Sequence, residues 1–547
     1  MRGGAALVDA LLRFGVDTVF GIPGVQTYEV FDALAVAGDR ATVIAPRHEQ
    51  AAGYMAFGYA KATGRVGVFS VVPGPGVLNA AAAAVTANTA TAPLIGLTGE
   101  IPSAFLGKGR GHLHELPDQA GTLRSFLKWA QRVDSVADAP AAVEEALRQA
   151  LSGRQGVAIV AMPWDVMSLD EEIAAGPLPP PEDLLRAPEP DPEAVEAAAR
   201  LICAAEAPMI MTGGGALHAA AEILELAELL DAPVASHRGG RGIVSEAHDL
   251  GMPGYPASKL WPSTDLLIGI GTRLELPYMR WGDMLALRPR PARPALVRID
   301  VDPAEMERLA PDAGVVADAR LGTAALVRAL RDAGARPSGR RTAAVEAKRE
   351  AEAEYGEKLE PQAGFLRAIR DVLPADGVFV EEVSQLGFAS WAAFPVHAPR
   401  TYISAGAQGT LGFGFPTALG AKAGRPDAAV VSITGDGGLM FGLQELATAA
   451  EYGLGVVTIV VSNGGYENVR RDQTTRFSGR VFKSGFRTPD FVRLAEAFGV
   501  AGYRATSPSE LRSTLDRALE DGAPALIEIP LAPGAEASPW PFIHPFA

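Results

Sequence analysis

The chain has 547 residues, of which 48% are hydrophobic and 21% are charged, a composition typical of globular proteins. Its net charge of −15 argues against a nucleic-acid partner, and no apolar run is long and clean enough to predict a membrane span. The single cysteine, Cys203, excludes an internal disulfide and, with no evident secretory signal, predicts a cytoplasmic protein.

Two stretches interrupt the pattern of the chain and are predicted linkers. Residues 168–189 are rich in proline and acidic residues, and residues 336–359 form a charged segment in which we expect a helix with no apolar face to bury. These linkers divide the chain into domains 1–167, 190–335 and 360–547, in keeping with a prior of about 150 residues per domain.

Each domain alternates short apolar runs, rich in β-branched residues, with helical segments. Examples of the runs are "VGVFSVV", "DLLIGIG" and "VVTIVVS". Because strands that are apolar on both faces must be covered on both faces, the pattern predicts an α/β protein with three doubly wound parallel sheets. The first and third domains also end alike, in "GRQGVAIVAMP" and "DGAPALIEIP", which predicts two copies of one fold flanking a third.

Two polar segments of the first domain are candidate site regions. Glu49 follows the strand-like "TVIA" and begins an alanine- and glycine-rich helical segment. A helix start with solvated charges is an equally good interpretation of these residues. The loop at 107–130 carries His112, His114 and Gln119, and a solvated polar loop is the alternative there.

In the middle domain, "TGGGALH" at 212–218 follows a strand-like run. A glycine-rich loop in this position is found in dinucleotide-binding domains, but it is equally typical of a structural turn. Both interpretations stay open from the sequence.

A single acid, Asp436, stands on a glycine hinge in "ITGDGGLMFGLQEL", directly after an apolar strand. Ligands of open parallel sheets bind beyond the carboxyl ends of the strands, and a carboxylate beside a phosphate needs a divalent cation between them. Asn463 follows the next strand 27 positions later, close to the length of one βαβ unit. Each motif alone is typical of an ordinary turn, but the two at this spacing predict a magnesium–phosphate site.

The pair "GDGG…SNGGY" resembles the metal-binding signature of thiamine-diphosphate-dependent enzymes. The resemblance implies that Asp436, Asn463 and the carbonyl of Gly465 bind Mg²⁺, which anchors the diphosphate of the cofactor. Ser462 stands where that family usually has a first asparagine, a position that is not a metal ligand.

Further segments resemble acetolactate-synthase-like members of that family, in order and spacing: 20–34, 42–64, 74–100, 381–391 and 408–422. By this resemblance Glu49 takes the place of the glutamate that activates the cofactor's aminopyrimidine, and Leu411 that of the bulky residue under the cofactor. The remaining cofactor-contacting positions that it implies are Pro23, Gly74, Asn79, Ser384, Gln385, Gln408, Gly435, Gly437, Gly438 and Tyr466.

The resemblance also implies an architecture and partners. The first domain would bind the pyrimidine and the last the diphosphate, with the cofactor between two subunits. At least a homodimer is implied, and a homotetramer is expected. The substrate would be a small 2-oxo acid.

Three segments depart from the biosynthetic acetolactate synthases: Pro163-Trp164-Asp165 in place of Pro-Lys-Asp, residues 271–282, and "NVRRDQ" at 468–473. Non-oxidative decarboxylation through an enamine is therefore the first prediction, with carboligation to an acetohydroxy acid or acyloin as the alternative. These departures also leave FAD binding open.

The loop at 107–130 resembles the corresponding loop of 5-guanidino-2-oxopentanoate decarboxylases. That resemblance implies that His112, His114 and Gln119 reach the active site, where a histidine can shuttle protons. Glu115 or Asp118 could pair with a cationic substrate end. Arg470 and Arg471 are alternative candidates, for binding a substrate carboxylate.

Two other function classes fit parts of the sequence. A non-catalytic paralogue could keep the fold as a binding protein, although the presence of Glu49, Asp436 and Asn463 argues against it. A flavin- or nicotinamide-linked oxidoreductase would use the glycine loop of the middle domain.

Overall fold

The computed structural model describes residues 1–173, 187–281 and 294–546, which form three six-stranded sheets flanked by helices. Neighbouring strands are parallel throughout these sheets, so the predicted α/β class with three parallel-sheet domains is confirmed. Of the predicted linker 168–189, residues 174–186 lie outside the described residues, as does residue 282 of the segment 271–282.

The first domain has the strand order β2-β1-β3-β4-β6-β5. Its strands are β1 (Thr18–Gly21), β2 (Thr42–Ile44), β3 (Gly67–Val71), β4 (Leu94–Glu100), β5 (Trp129–Arg132) and β6 (Val157–Pro163). Its helices are α1 (Gly3–Arg13), α2 (Tyr28–Ala37), α3 (Glu49–Thr63), α4 (Pro75–Thr89), α5 (Gln119–Arg124), α6 (Ala139–Leu151) and α7 (Trp164–Ser168).

The middle domain has the strand order β12-β11-β10-β7-β8-β9. Its strands are β7 (Pro208–Thr212), β8 (Val234–Ser236), β9 (Gly251–Pro253), β10 (Leu266–Ile270), β11 (Ala295–Asp300) and β12 (Ala313–Val316). Its helices are α8 (Pro192–Cys203), α9 (Ala220–Leu230), α10 (Gly254–Leu260), α11 (Pro303–Arg308) and α12 (Ala319–Asp332), and α13 (Arg341–Lys358) follows them.

The third domain has the strand order β14-β13-β15-β16-β18-β17. Its strands are β13 (Val378–Val380), β14 (Tyr402–Ile403), β15 (Val430–Gly435), β16 (Val456–Ser462), β17 (Ala501–Arg504) and β18 (Ala525–Pro530). Its helices are α14 (Gln362–Val372), α15 (Gln385–Ala393), α16 (Gly414–Gly424), α17 (Asp436–Leu439), α18 (Glu445–Tyr452), α19 (Glu467–Arg476), α20 (Phe491–Ala497), α21 (Pro508–Asp521) and α22 (Trp540–Ile543).

The first and third sheets share one topology. In both, the strands follow the order second, first, third, fourth, sixth, fifth, whereas the middle sheet has its crossover between β7 and β10. The predicted repeat of one fold around a third is therefore found in the strand order. The strands pair this way because they are apolar throughout: all seven residues of β16 are buried between two helical layers.

Helices α3 and α16 pack the first domain directly against the third. A Cβ atom at Gly58 would lie 1.9 Å from the carbonyl oxygen of Thr417, and one at Gly420 would lie 1.9 Å from that of Met55. Only glycine allows two helix backbones to approach this closely. The N-terminal end of α3 is tied to the third domain as well, because the backbone N–H of Arg47 donates to the buried carboxylate of Glu445.

Helix α13 corrects one expectation for residues 336–359. Its residues Ala344, Ala347, Ala351 and Tyr355 are buried, so the charged segment does have an apolar stripe, made mainly of alanines three or four positions apart. The expectation was wrong because alanine contributes little to an apolar pattern yet packs well in a narrow space.

Among the helices that the structure describes, none is both long enough and apolar enough to cross a lipid bilayer.

Candidate active site

The carboxylate of Asp436 lies where two neighbouring strands of the third sheet end. Strand β15 ends at Gly435 and β16 at Ser462, and the two pair in parallel. Asp436 Oδ2 accepts the backbone N–H groups of Asn463 at 3.1 Å and of Gly464 at 2.7 Å. The structure thus brings together the two residues whose spacing predicted a shared site.

Asp436 is only 1% exposed, so its charge needs compensation. Burial raises the pKa of its carboxyl group, and hydrogen bonds from the N–H groups of Gly464, Gly437 and Asn463 oppose that rise. A divalent cation at the carboxylate would stabilise the ionised form further.

The side chain of Asn463 has a buried polar atom without a hydrogen-bond partner among the described residues. Its Nδ2 donates to Glu536 Oε2 at 2.8 Å, whereas its Oδ1 is buried and has no hydrogen-bond partner among the described residues. Because buried polar atoms are nearly always paired, an amide oxygen left over beside a carboxylate fits a hard cation such as Mg²⁺. In the described part of the chain no three His, Cys, Asp or Glu side chains cluster to hold a metal, so a cation here would depend on Asp436, Asn463 and other oxygens.

A cavity of about 180 Å³ adjoins Asp436 and Asn463. Its lining includes ten of the predicted residues: Ser384, Gln385, Leu411, Gly435, Asp436, Gly437, Gly438, Asn463, Gly465 and Tyr466. Gln408 lies in an exposed turn and is not part of this lining. The cofactor contacts of all these residues, and the carbonyl of Gly465 as a ligand, stay predictions.

Leu411 is held at the cavity by a buried acid that the sequence reasoning missed. Glu382 accepts the backbone N–H groups of Gly412 at 2.6 Å and Gly414 at 2.9 Å, which follow Leu411 and fix the loop that carries it. Burial raises the pKa of Glu382 to about 7. A Cβ atom at Gly438 would lie 2.2 Å from Glu382 Oε1, which explains the glycine there. The sequence feature that could have predicted this residue is the pair of acids directly after the strand "VFV".

In the first domain, Glu49 is the first residue of α3. Its Oε2 accepts the amide of Asn79 at 3.1 Å, so two predicted cofactor residues lie together. His48 caps the helix, because its Nδ1 accepts the N–H of Gln50 at 3.1 Å. Glu49 is therefore anchored at a strand-to-helix turn with its carboxylate partly exposed.

Gln119 connects the turn before α4 to strand β4 of the same domain. Its Oε1 accepts the N–H of Gly74 at 3.0 Å, and its Nε2 donates to the carbonyl of Gly99 at 2.9 Å. Gln119 is 2% exposed, and this geometry is that of a positioning residue. Its predicted place in catalysis stays a prediction, and Pro23 lies exposed in the loop after β1.

The two predicted loop histidines have different surroundings. His114 Nδ1 lies 3.0 Å from Gln26 Oε1, and Gln26 Nε2 donates to the carbonyl of Leu113. Because that second bond fixes the amide of Gln26, its Oε1 accepts a hydrogen bond from the Nδ1–H of His114. The Nε2 atom of the histidine ring then keeps a lone pair. Burial lowers the pKa of His114, which favours the neutral ring. His112 packs against Phe105, and its buried Nδ1 lacks a partner within the described ranges.

The charged candidates for substrate contact are engaged by the protein. Glu115 Oε2 accepts the N–H of His112 at 2.8 Å, and Asp118 caps α5 through the N–H of Gly121. These carboxylates shape their own loop.

The two candidate arginines are also engaged. Arg470 donates to the carbonyl of Gly464 at 2.9 Å and pairs with Glu467. Arg471 donates to Gln385 and to the carbonyl of Glu536. Each guanidinium has five N–H donors, so these contacts leave some unused, and a substrate contact by either arginine stays a prediction.

The first-domain residues of the predicted site do not line the cavity at Asp436. Among the described residues, the cavity at Asp436 is lined only by positions from 383 to 536. Glu49, His112 and His114 are not part of that lining.

The glycine loop of the middle domain is closely packed. The N–H of Gly215 donates to the carbonyl of Gly271 at 3.1 Å, at the crossover between β7 and β10. Lys61 reaches the same loop from the first domain, and a Cβ atom at Gly214 would lie 3.8 Å from its Nζ. This packing fits a structural turn, but the crossover of an open sheet is also where dinucleotides bind, so both interpretations stay open and flavin binding stays an untested expectation.

Three protein-family models match successive parts of the chain. Residues 1–122 match "Thiamine pyrophosphate enzyme, N-terminal TPP binding domain", residues 195–329 match the central domain, and residues 382–529 match the C-terminal TPP binding domain. The matched parts contain Glu49, Asp436 and Asn463, whereas Glu536 lies beyond them.

The chain is also similar to curated proteins along nearly its whole length. It is 34% identical to the acetolactate synthase large subunit of Parasynechococcus marenigrum, over 98% of this chain and 89% of the relative. It is 31% identical to a probable acetolactate synthase large subunit of Methanococcus aeolicus, over 99% of this chain and 94% of the relative. It is 32% identical to the probable 2-ketoarginine decarboxylase AruI of Pseudomonas aeruginosa, over 97% of this chain and 94% of the relative.

Proposed function

This chain belongs to the thiamine pyrophosphate enzymes, and we therefore propose that it decarboxylates a 2-oxo acid without oxidation, with thiamine diphosphate and Mg²⁺ as cofactors. The observation that carries the proposal is the buried pair at the strand ends. Asp436 is ionisable and buried, and Asn463 Oδ1 beside it lacks a partner in the described structure. Both features fit the cation that would hold a diphosphate.

The residues of the third domain would bind the cofactor. Asp436, Asn463 and the carbonyl of Gly465 would hold the cation, and Leu411, fixed through Glu382, would support the cofactor from the cavity wall. Thiamine diphosphate, when bound, supplies the nucleophilic carbon that adds to the 2-oxo group and accepts the electrons released as CO₂ leaves.

Glu49 would hold the proton at the cofactor's ring nitrogen. The role suits a carboxyl group whose position is fixed, and here the amide of Asn79 and the start of α3 fix it. General acid–base work of this kind contributes typically about 10²–10⁴-fold to a rate.

A second copy of the chain would complete the site, because the residues that line the Asp436 cavity come from the third domain. Large apolar side chains are exposed beside the site residues of both the first and the third domain. They are Leu78, next to Asn79, and Met440 and Phe441, after the glycine hinge. Burying such side chains favours association, so a homodimer at least is proposed, with a homotetramer as the expected assembly.

Decarboxylation is preferred over carboligation because His114 offers a proton-transfer group. Its Nδ1–H is fixed by Gln26, so the lone pair of its Nε2 would first take a proton from water and then pass that proton to the product carbon. Proton transfer would end the reaction at an aldehyde. The alternative is acetolactate-synthase-like carboligation, which the names of two of the relatives support.

A panel of 2-oxo acids tests the proposal, with neutral, acidic and guanidinium-bearing side chains. CO₂ release and product masses would be followed with the protein reconstituted with thiamine diphosphate and Mg²⁺. An aldehyde product supports decarboxylation, and an acetohydroxy acid or acyloin supports the alternative. Absence of CO₂ release from every substrate would refute both, and a flavin absorption spectrum of the purified protein would favour a flavin-linked reaction instead.

A further inference from the structure

We propose that Glu536 is a positioning residue that turns the amide of Asn463 so that its oxygen faces the cation site. The inference rests on the proposed function, because it assigns Glu536 a role toward the Mg²⁺ which that function requires. Glu536 lies outside the part of the chain that the C-terminal family model matches.

The side-chain amide of Asn463 could fit its site in either of two orientations. An asparagine amide has nearly the same shape when it is turned by half a rotation, but that turn exchanges an acceptor for a donor. Asn463 and Glu536 are 7% and 5% exposed, so hydrogen bonds to water contribute little to which way the amide of Asn463 is turned. Asn463 Nδ2 donates to Glu536 Oε2 at 2.8 Å. The reverse orientation would set two acceptor oxygens against each other and point an N–H group at the cation.

The backbone that carries Glu536 is firmly held. Gln362 clamps the next residue, Ala537, by donating to its carbonyl at 2.7 Å and accepting its N–H at 3.1 Å. Arg471 donates to the carbonyl of Glu536 itself at 2.7 Å. The carboxylate is therefore fixed at the wall of the cavity that Asp436 also lines, as an orienting group must be.

The test measures the apparent Kd of Mg²⁺ by calorimetry, with thiamine diphosphate present and no substrate. We expect Glu536→Ala and the volume-matched Glu536→Met to raise that Kd by about ten-fold or more, the usual effect of losing a partner that orients a metal ligand. Glu536→Gln should stay within about three-fold, because its amide oxygen can still accept from Asn463. Glu528→Ala is the matched control, since Glu528 is equally buried in the same domain but pairs with Arg504.

An aspartate at position 463 separates orientation from other effects. Its two oxygens are equivalent, so it needs no partner to turn one of them toward the cation. In the Asn463→Asp background we therefore expect Glu536→Met to leave Mg²⁺ affinity unchanged or improved.

Four results would contradict these expectations, and each has its own meaning. An unchanged Kd in Glu536→Ala and Glu536→Met would overturn the inference, as would equal losses in both backgrounds. A loss in Glu536→Gln as large as in Glu536→Met would assign the effect to charge instead of orientation. If the wild-type protein binds thiamine diphosphate without any dependence on Mg²⁺, the proposed function fails and this inference fails with it.

Discussion

The carboxylate of Asp436 accepts the backbone N–H of Asn463 at 3.1 Å, although 27 residues separate them in the chain. The contact exists because β15 and β16 are parallel neighbours whose carboxyl ends lie at one edge of the sheet. It fixes the loop after β16 to the acid after β15 and places Asn463 at the cavity wall, with its Nδ2 donating to Glu536. The following predictions start from this arrangement.

We expect Asp436→Ala to lose Mg²⁺-dependent binding of thiamine diphosphate. The carboxylate is the only ionisable group proposed as a cation ligand, so a loss on the order of 100-fold, roughly 2.7 kcal/mol, is expected. Titrations of the cofactor with and without Mg²⁺, followed by tryptophan fluorescence, would measure it. Asp427→Ala, at an exposed position of the same domain, is the control, and tight Mg²⁺-dependent binding by Asp436→Ala would refute the role of Asp436.

We expect Glu49→Gln to bind the cofactor normally but to lose turnover by about 10²–10⁴-fold, because the amide cannot supply the proton that a carboxyl group does. Steady-state CO₂ release and the cofactor Kd would separate the two effects. Glu451→Gln, at an exposed position that pairs with Arg47, should keep full activity. Unaltered turnover in Glu49→Gln would rule out the assigned role.

Mixing the inactive Glu49→Gln and Asp436→Ala proteins tests whether two chains build the site. In a mixed dimer, one site would combine Glu49 of one chain with Asp436 of the other and would be intact. Random exchange of subunits should therefore restore about a quarter of wild-type activity, since half the dimers are mixed and each has one intact site. If each site forms within a single chain, the mixture stays inactive.

We expect Gln119→Ala to destabilise the protein by about 1–3 kcal/mol, because it leaves the buried N–H of Gly74 and the carbonyl of Gly99 without partners. The melting temperature of the cofactor-free protein measures this effect apart from any role in turnover. Gln149→Ala, which loses only a contact within α6, is the matched control. A melting temperature equal to that of the wild type would show that the bridge contributes nothing.

Lys61 predicts a pH dependence of stability. Burial, with the charge of Arg400, lowers the pKa of Lys61 from 10.5 to about 8, and its Nζ donates to the carbonyl of Ala90 at 3.3 Å. A base whose pKa falls on folding destabilises the fold at low pH, and that cost disappears as the pH rises from about 8 toward the unfolded value.

Lys61→Met should accordingly raise the melting temperature by about 2–6 °C at pH 7, with the gain shrinking toward zero near pH 10. Thermal melts between pH 7 and pH 10 would measure the difference. Lys358→Met, whose side chain is 55% exposed, should show no such trend. A gain that is independent of pH would contradict the assignment to the buried ammonium.

Much of the fold followed from local pattern alone. Continuous apolar strands between helices predicted three parallel sheets, and the similar ends of the first and third domains predicted their shared topology. The meeting of Asp436 and Asn463 was predictable too, because one βαβ unit always returns the chain to the same edge of the sheet. The buried face of α13 was not, because alanines within a charged segment give a weak periodic signal.

Only the tertiary structure shows which polar groups contact and position the predicted site residues. Glu536 contacts Asn463 across 73 positions, and Gln26 contacts His114 across 88. Glu382 fixes the loop of Leu411 through backbone N–H groups that any residue type except proline would offer. Such contacts depend on how whole elements pack, and no local spacing encodes them. The sequence by itself determined the three sheets and the acid and amide at neighbouring strand ends, because periodicity and βαβ geometry are local. The packing of distant segments decided how that amide is turned and which domain lines the cavity, because those contacts exist only once the chain has folded.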